Sequence, residues 1–383
     1  RSLWLPGRRS SSAALTSSGF TRSHAIGRGH PAYAGRMRNA PVEEYVDQAV
    51  FDADARAVFE RTWQLLGPAS QVADPCSYVV ADICGRSILV RRGRDGVVRG
   101  VRNVCRHRGA RLLPDGVGHC AALRCEYHQW LYADSGELLR APWFGDPGDI
   151  DLADWPLVPV AVEEWRGLLF ASIDPVEPLV DQLGDLVGLL ADEPIERYVH
   201  GADELLEFDA SWKIYTDNFV EGYHIPGIHP AFRRAIDFER FETTVRRGLI
   251  HMTAPPTGEL IYRGTWLWMW PNWTLSLFDG GMNTSRINPL AADRTELRYH
   301  FSFADTSPEA KPAQRALIEA NLAIVREDFG ICVDTQRNYA SRAYTPGPLS
   351  PRHERGVAYF QDRLRRSRAG DATTGAGTAT GPG

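Results

Sequence analysis

The amino-acid sequence predicts an α+β protein in two folded parts: a small all-β unit, then an antiparallel sheet closing over a long C-terminal helix. Three observations carry this. From residue 63 to 175 the chain reads as short β runs broken by turn residues. Beyond residue 204 strand text returns in longer runs. From Pro308 to about Ser341 apolar residues recur at helical spacing. Strands and a terminal helix that are segregated along the chain favour an α+β arrangement over alternating βαβ units. With 383 residues, 43% hydrophobic and 24% charged, the chain is long enough for two cores.

Residues 1–36 are rich in Ser, Gly and Arg and free of acids and periodicity, so they are expected to be disordered. They read as sequence upstream of Met37, which opens the first folded text, although an organelle transit peptide shares that composition. Residues 37–62 form an N-terminal helix, with Val46, Val50, Phe51, Ala55, Val58 and Phe59 as its buried stripe over Pro41 to Trp63. In the all-β unit the strand candidates are 77–83, 87–91, 97–104, 136–139 and 168–173, with turns at Asp95-Gly96 and Ser135-Gly136. Residues 175–192 make a helical connector, 204–208 a strand and Trp212 to Tyr223 a helix. Strands follow over 243–252, 260–278, 286–288 and 296–303. The long helix buries Leu317, Ile318, Leu322, Ile324, Val325, Phe329 and Cys332. A Gly/Thr/Ala tail over 366–383 lacks the apolar surface to order itself.

Composition excludes several classes. No apolar run reaches the ~20 residues of a membrane helix. The net charge of −5 hides an acidic body, because residues 1–42 carry seven Arg and no acid, and a body that acidic argues against a nucleic-acid partner. Six cysteines in a chain this large read as reduced thiols, which places the protein in the cytoplasm.

Two groups of residues carry chemistry. Cys105-x-His107 and Cys125-x-x-His128 pair a thiol with an imidazole twice in the all-β unit, a donor set that suits zinc or an iron–sulfur cluster. In the second part, Asp217, Glu221 and His224 fall at i, i+4 and i+7, one face of a helix, and Pro226-Gly227 breaks the chain so that His229 can swing back towards His224. Asp328, beside the buried stripe of the long helix, would complete a 2-His-1-carboxylate set; the alternative reading of Glu327-Asp328 is a solvated face, and Glu327 is the carboxylate from which Asp328 must be told apart.

The run Cys105-Arg106-His107-Arg108-Gly109-Ala110, followed by Cys125-x-Tyr127-His128-x-Trp130, closely resembles the Rieske [2Fe–2S] motif. The resemblance implies that Cys105 and Cys125 hold one iron and His107 and His128 the other. Gln129 departs from it, standing where the family usually has Gly. From Met37 to Arg365 the chain resembles the catalytic α subunit of Rieske non-haem iron oxygenases, the aromatic-ring-hydroxylating family in its broad sense. That resemblance implies a Rieske domain over 63–175 and a helix-grip (START-like) catalytic domain over 176–365, with mononuclear Fe(II) on His224, His229 and Asp328. It also implies that Glu221 bridges to a Rieske histidine of a neighbouring protomer in a head-to-tail homotrimer, supported by Asp217. Electrons would come from NAD(P)H through a separate ferredoxin and/or flavin reductase, to oxidise a small organic molecule with O₂.

The pattern Trp270-Pro271-Asn272, then Asn283, Arg286, Pro289-Leu290 and Asp293-Arg294-Thr295, is similar to the choline monooxygenase and glycine betaine demethylase branch. Trp266, Trp268 and Trp270 alternate along one strand face, as either an aromatic cage for a quaternary ammonium group or a packed core. An aromatic-ring dioxygenase is the alternative substrate reading. A non-catalytic Rieske electron carrier is the rival of another class, and the full domain's length beyond the Rieske unit argues against it.

Overall fold

The computed structural model describes residues 37–146, 148–258 and 261–375, so the expectations for 1–36 and for the last eight residues lie outside the described residues. The N-terminal helix is not one helix. It divides into α1 (Glu43–Val46) and α2 (Gln48–Asp54), followed by a π-helical turn over Ala55–Phe59. Asp47 between them is extended (φ −82°, ψ 126°) and receives Arg342 Nη2 at 2.6 Å. An Asp held this way begins a helix better than it continues one.

Next come β1 (Gln64–Pro68), β2 (Ser77–Ile83), β3 (Arg86–Arg92), β4 (Val98–Arg102) and β5 (Gly116–His119), the short β6 (Leu123–Arg124), β7 (Leu131–Tyr132) and β8 (Leu138–Arg140), and then β9 (Pro159–Trp165) and β10 (Leu168–Ser172). Seven of these form one antiparallel sheet in the order β1-β10-β9-β4-β3-β2-β5, and β6-β7-β8 form a small separate one. A distinct core under the small sheet holds Cys105, Cys125, Trp130 and Tyr132.

Short helices α3 (Leu179–Leu183) and α4 (Leu186–Leu189) lead to the second sheet. Its first strand is β11 (Val199–Phe208). After α5 (Trp212–Phe219), α6 (Ile225–Ile228) and α7 (Pro230–Ala235) come β12 (Glu242–Arg246), β13 (Leu249–Thr253), β14 (Thr265–Met269), β15 (Trp273–Phe278), β16 (Gly281–Ala291) and β17 (Arg294–Phe303). The last six form a meander, and β11 pairs with β17 at its far edge. The 30-residue α8 (Lys311–Ala340) packs with α5 over this sheet, burying Ile318, Leu322, Val325, Asp328 and Cys332. The architecture is therefore α+β, with two antiparallel seven-stranded sheets and a long C-terminal helix. Among the described residues no helix is long and apolar enough to cross a membrane.

The tail departs from its composition. Helix α9 (Arg355–Gly375) runs well past the boundary expected at 366. Arg368 reaches into the protein, with Nη1 2.7 Å from Asp54 Oδ1 and Nη2 on Glu44. Lys213 of α5, itself buried, pairs with the same Asp54 and donates to the Glu44 carbonyl at 2.5 Å. Four charges from α1, α2, α5 and α9 thus neutralise one another in a knot that composition does not announce, and removing one member strands the others. Truncation after Arg365 should therefore cost roughly 3 kcal/mol. A lowered thermal midpoint is the expected reading, and an unchanged midpoint would mean that the helix beyond Arg365 carries no load.

Candidate metal centres

The cysteine–histidine loops are built alike. Cys105 N donates to Ala110 O (2.8 Å) and Gly109 N to Cys105 O (3.1 Å); in the second loop Cys125 N donates to Trp130 O and Gln129 N to Cys125 O, both 2.9 Å. The residue four places after each Cys must be left-handed for this turn: Gly109 has φ 73° and Gln129 φ 59°. Glycine adopts that conformation freely, and Gln129 adopts it at a cost.

Both cysteines are buried and both histidines half-buried, and His107 Nδ1 faces His128 Nδ1 at 3.1 Å. Burial raises the Cys125 thiol pKa; burial, helped by His107 and Arg108, lowers that of His128. His107 stacks on Trp130 with rings 4.8 Å apart and 9° between planes. The Tyr132 hydroxyl lies 3.3 Å from Cys105 Sγ and accepts from Arg106 N at 3.0 Å. Two thiols on the inside and two imidazoles towards the surface fit a [2Fe–2S] cluster with two different irons. Tyr132 was not singled out from sequence, and only its place in Cys125-x-x-His128-x-Trp130-x-Tyr132 could have drawn attention to it.

The second centre forms where α5 ends. The helix stops at Phe219, so Asp217, Glu221 and His224 do not share one helical face. The chain turns instead because Glu221 Oε2 accepts the amides of Tyr223 and His224. His224 then starts the one-turn α6, where Pro226 sits at a position whose amide needs no partner, and His229 closes it. The break thus falls on either side of Pro226-Gly227. One turn of helix brings His224 Nε2 to 3.2 Å from His229 Nε2. Asp328 Oδ1, from α8, stands 3.0 Å from His229 Nε2 and 3.6 Å from His224 Nε2.

The opposite ring nitrogens decide what these atoms can do. His224 Nδ1 is 2.5 Å from Glu221 Oε1, and His229 Nδ1 is 2.7 Å from Glu327 Oε2. A carboxylate only accepts, so each Nδ1 carries the proton and each Nε2 presents a lone pair. Two lone pairs then face each other beside Asp328 Oδ1, which is buried without a hydrogen-bond partner. Three acceptors at spacings of 3.0 to 3.6 Å match adjacent ligands on a divalent cation with bonds of about 2.1 Å. The donor set leaves open positions, as iron oxygenase centres require.

A second His–carboxylate group behaves differently. His200 Nε2 and His300 Nδ1 each lie 2.6 Å from Asp203 Oδ1, so its atoms satisfy one another without a cation.

Two expectations need correction. Asp217 makes no bond to Glu221; its Oδ2 accepts from Tyr45 (2.6 Å) and Gln361 (3.0 Å) instead. The tryptophans divide: Trp266 lines the cavity beside the three ligand atoms, whereas Trp268 is fully buried against Phe360 and Trp270 lies under Arg363. Residues 266 and 268 share a strand face, but the farther one meets α9. The cavity, of about 90 Å³, is also lined by Phe232, Phe241, Tyr262 and Asn321. Asn321 was missed in the sequence because nothing local distinguishes it, and Glu327 was weighed only as the rival to Asp328, not as the acid behind the His229 ring.

Two metal pockets with different donor sets on one chain define a two-centre redox enzyme. The family model of the Rieske [2Fe-2S] domain matches residues 62–156, and that of the ring-hydroxylating alpha subunit catalytic domain matches 195–369. The carnitine monooxygenase oxygenase subunit of Escherichia coli K12 is 30% identical over 349 residues, covering 85% of this chain and 92% of that one. The chloroplastic choline monooxygenase of Amaranthus tricolor is 25% identical over 85% of this chain and 77% of its own length. A solved quaternary ammonium Rieske monooxygenase in complex with L-carnitine superimposes with a TM-score of 0.77 at 26% identity, over 86% of this chain and 96% of that one. The chain belongs to the Rieske non-haem iron oxygenases, as an α, oxygenase-type subunit. Its cofactors are a [2Fe–2S] cluster and mononuclear iron, with NAD(P)H acting only through a separate reductase.

The two adjacent acids on α8 should separate in effect. Asp328→Ala should lose the mononuclear iron; Glu327→Gln should weaken its retention by roughly 10- to 100-fold, because it loosens the ring that binds it. Both should keep the visible cluster spectrum. Iron per chain after dialysis against a chelator measures this, and full retention in Asp328→Ala would exclude that residue as a ligand.

Proposed function

We propose that this subunit is a monooxygenase acting on a small quaternary ammonium compound, with the cluster on Cys105, His107, Cys125 and His128 and the catalytic iron on His224, His229 and Asp328. When bound, the two metals supply O₂ activation with electrons from the reductase. The chain's own groups do the rest. Glu221 and Glu327 hold the imidazole protons outward, and Tyr132 donates towards a cluster thiolate, which favours its reduced form.

The observation that carries the substrate reading is the aromatic corner around Trp266. Phe232 meets it edge-on at 5.2 Å, Tyr262 edge-on at 5.7 Å, and Phe241 lies at 6.5 Å. Such a corner presents negative ring faces to a trimethylammonium group. Asn321 completes the site from the polar end: its Oδ1 accepts from Tyr262 and Asn283, leaving Nδ2 buried without a partner and free for a substrate oxygen. The relatives that act on carnitine and choline support the same class.

Electron delivery between subunits is the second part of the proposal. Among the described residues, every one that lines the catalytic cavity comes from 215–328, none from the Rieske unit. The half-buried His107 and His128 are free to meet another copy, and Glu221 beside His224 is the acid to receive one of them in a head-to-tail trimer. The solved structure of a quaternary ammonium Rieske monooxygenase gives insight into inter-subunit electron transfer in that relative, which supports this route.

The test is turnover by the holoprotein with a reductase, NAD(P)H and O₂ on choline, glycine betaine and carnitine, with naphthalene as the ring substrate. Product from at least one ammonium compound is expected. Trp266→Leu should raise its KM about tenfold, the worth of one to two cation–π contacts, while Trp268→Phe should not. Oxidation of naphthalene alone would contradict the reading.

A further inference from the structure

A second cavity, of about 170 Å³, lies behind the catalytic one and shares Asn218 and Glu221 with it as a common wall. Its other polar lining is Asn39, Tyr45, Asp217, Thr335, Tyr339 and Glu354. A space of that size with that lining holds several waters. Three carboxylates, Asp217 and Glu221 from the end of α5 and the turn after it and Glu354 from before α9, face one chamber, and no substrate or metal ligand requires two of them.

We propose that this chamber is the proton store of the catalytic site, with Asp217 and Glu354 as the groups that hold and pass protons to the iron cavity through its water. The proposal rests on the monooxygenase reading above. There, R–H + O₂ + 2e⁻ + 2H⁺ gives R–OH + H₂O: the electrons come from the reductase, one oxygen atom enters the C–H bond, and the other leaves as water with two protons. Those protons must reach the iron cavity.

Asp217 is suited to the task by its contacts. Oδ2 accepts two hydrogen bonds, from Tyr45 Oη and Gln361 Nε2, while Oδ1 is buried with no partner. An ionised carboxylate would leave that oxygen charged and unpaired, so the neutral acid is favoured. Burial raises the Asp217 pKa to about 7 against the pull of Tyr45, Gln361 and the Lys213 ammonium, and Glu354 adds to the rise. Burial raises Glu354 as well, opposed by its bond from Ser350 N and helped by Glu221. The remaining titratable groups around Asp217 are Tyr339 and Cys332 of α8, both held neutral by burial. A group that titrates near neutrality accepts and releases a proton with little driving force lost either way.

The experiment uses holoprotein with both metals verified. Infrared difference spectra of resting wild type, taken as pH rises through neutrality, should lose a protonated-carboxyl band that is absent in Asp217→Asn. On single turnover with prereduced cluster, substrate and O₂, Asp217→Asn should be slower by about tenfold or more and show a larger solvent isotope effect. Tyr45→Phe removes a bond that is stronger to the ionised carboxylate than to the neutral acid, so it should shift the same infrared titration to higher pH even if the Asn variant folds poorly. A wild-type protein that titrates in the infrared but oxidises no ammonium compound would overturn the substrate reading and leave the store intact. An Asp217→Asn protein with wild-type rate and isotope effect would overturn the store.

Discussion

Two imidazole lone pairs held face to face are the constraint on which the catalytic half depends. His224 Nε2 and His229 Nε2 are 3.2 Å apart, and neither can donate to the other while Glu221 and Glu327 hold the protons on the far side of each ring. With Asp328 Oδ1 unpaired beside them, the arrangement is costly for a protein that binds nothing there and favourable for one that binds a divalent cation. The contrast with His200, Asp203 and His300 makes the point, since the same residue types close into ordinary hydrogen bonds when no outer acids fix the rings.

The rest of the second sheet's architecture serves that constraint. Helix α5 ends early so that Glu221 can cap the turn and orient His224 with the same side chain. Helix α8 supplies the inner and the outer acid from consecutive residues, Asp328 to the metal position and Glu327 to the ring behind it. The charge knot of Asp54, Lys213, Arg368 and Glu44 ties α5 to α1, α2 and α9, so the helix that leads into the site is anchored from behind. In the Rieske unit the same economy appears as two matching loops, each held by the backbone of its own Cys.

Much of this was legible in the sequence, and what was not has a physical reason. The Cys-x-His and Cys-x-x-His loops are local, and so are their ligand spacings. The α+β class followed from grouped strand runs and the long periodic helix. The shared helical face of Asp217, Glu221 and His224 was misread because periodicity registers spacing, not where a side chain takes backbone amides and ends the helix. The role of Glu327 was not legible, because only the partner ring at His229, far away in sequence, gives it one. The end of α9 was lost to composition, since a single Arg368 reaching Asp54 outweighs a run of poor helix formers.

The central claim is that one chain holds two chemically distinct iron centres. Iron-57 Mössbauer spectroscopy of the reduced, anaerobically prepared protein tests it most directly. The account predicts about three irons per chain: a localised ferrous–ferric pair with unlike ligands, and one high-spin ferrous ion in oxygen and nitrogen ligation. Two irons only, or zinc filling the His224, His229 and Asp328 position in fully active protein, would contradict it.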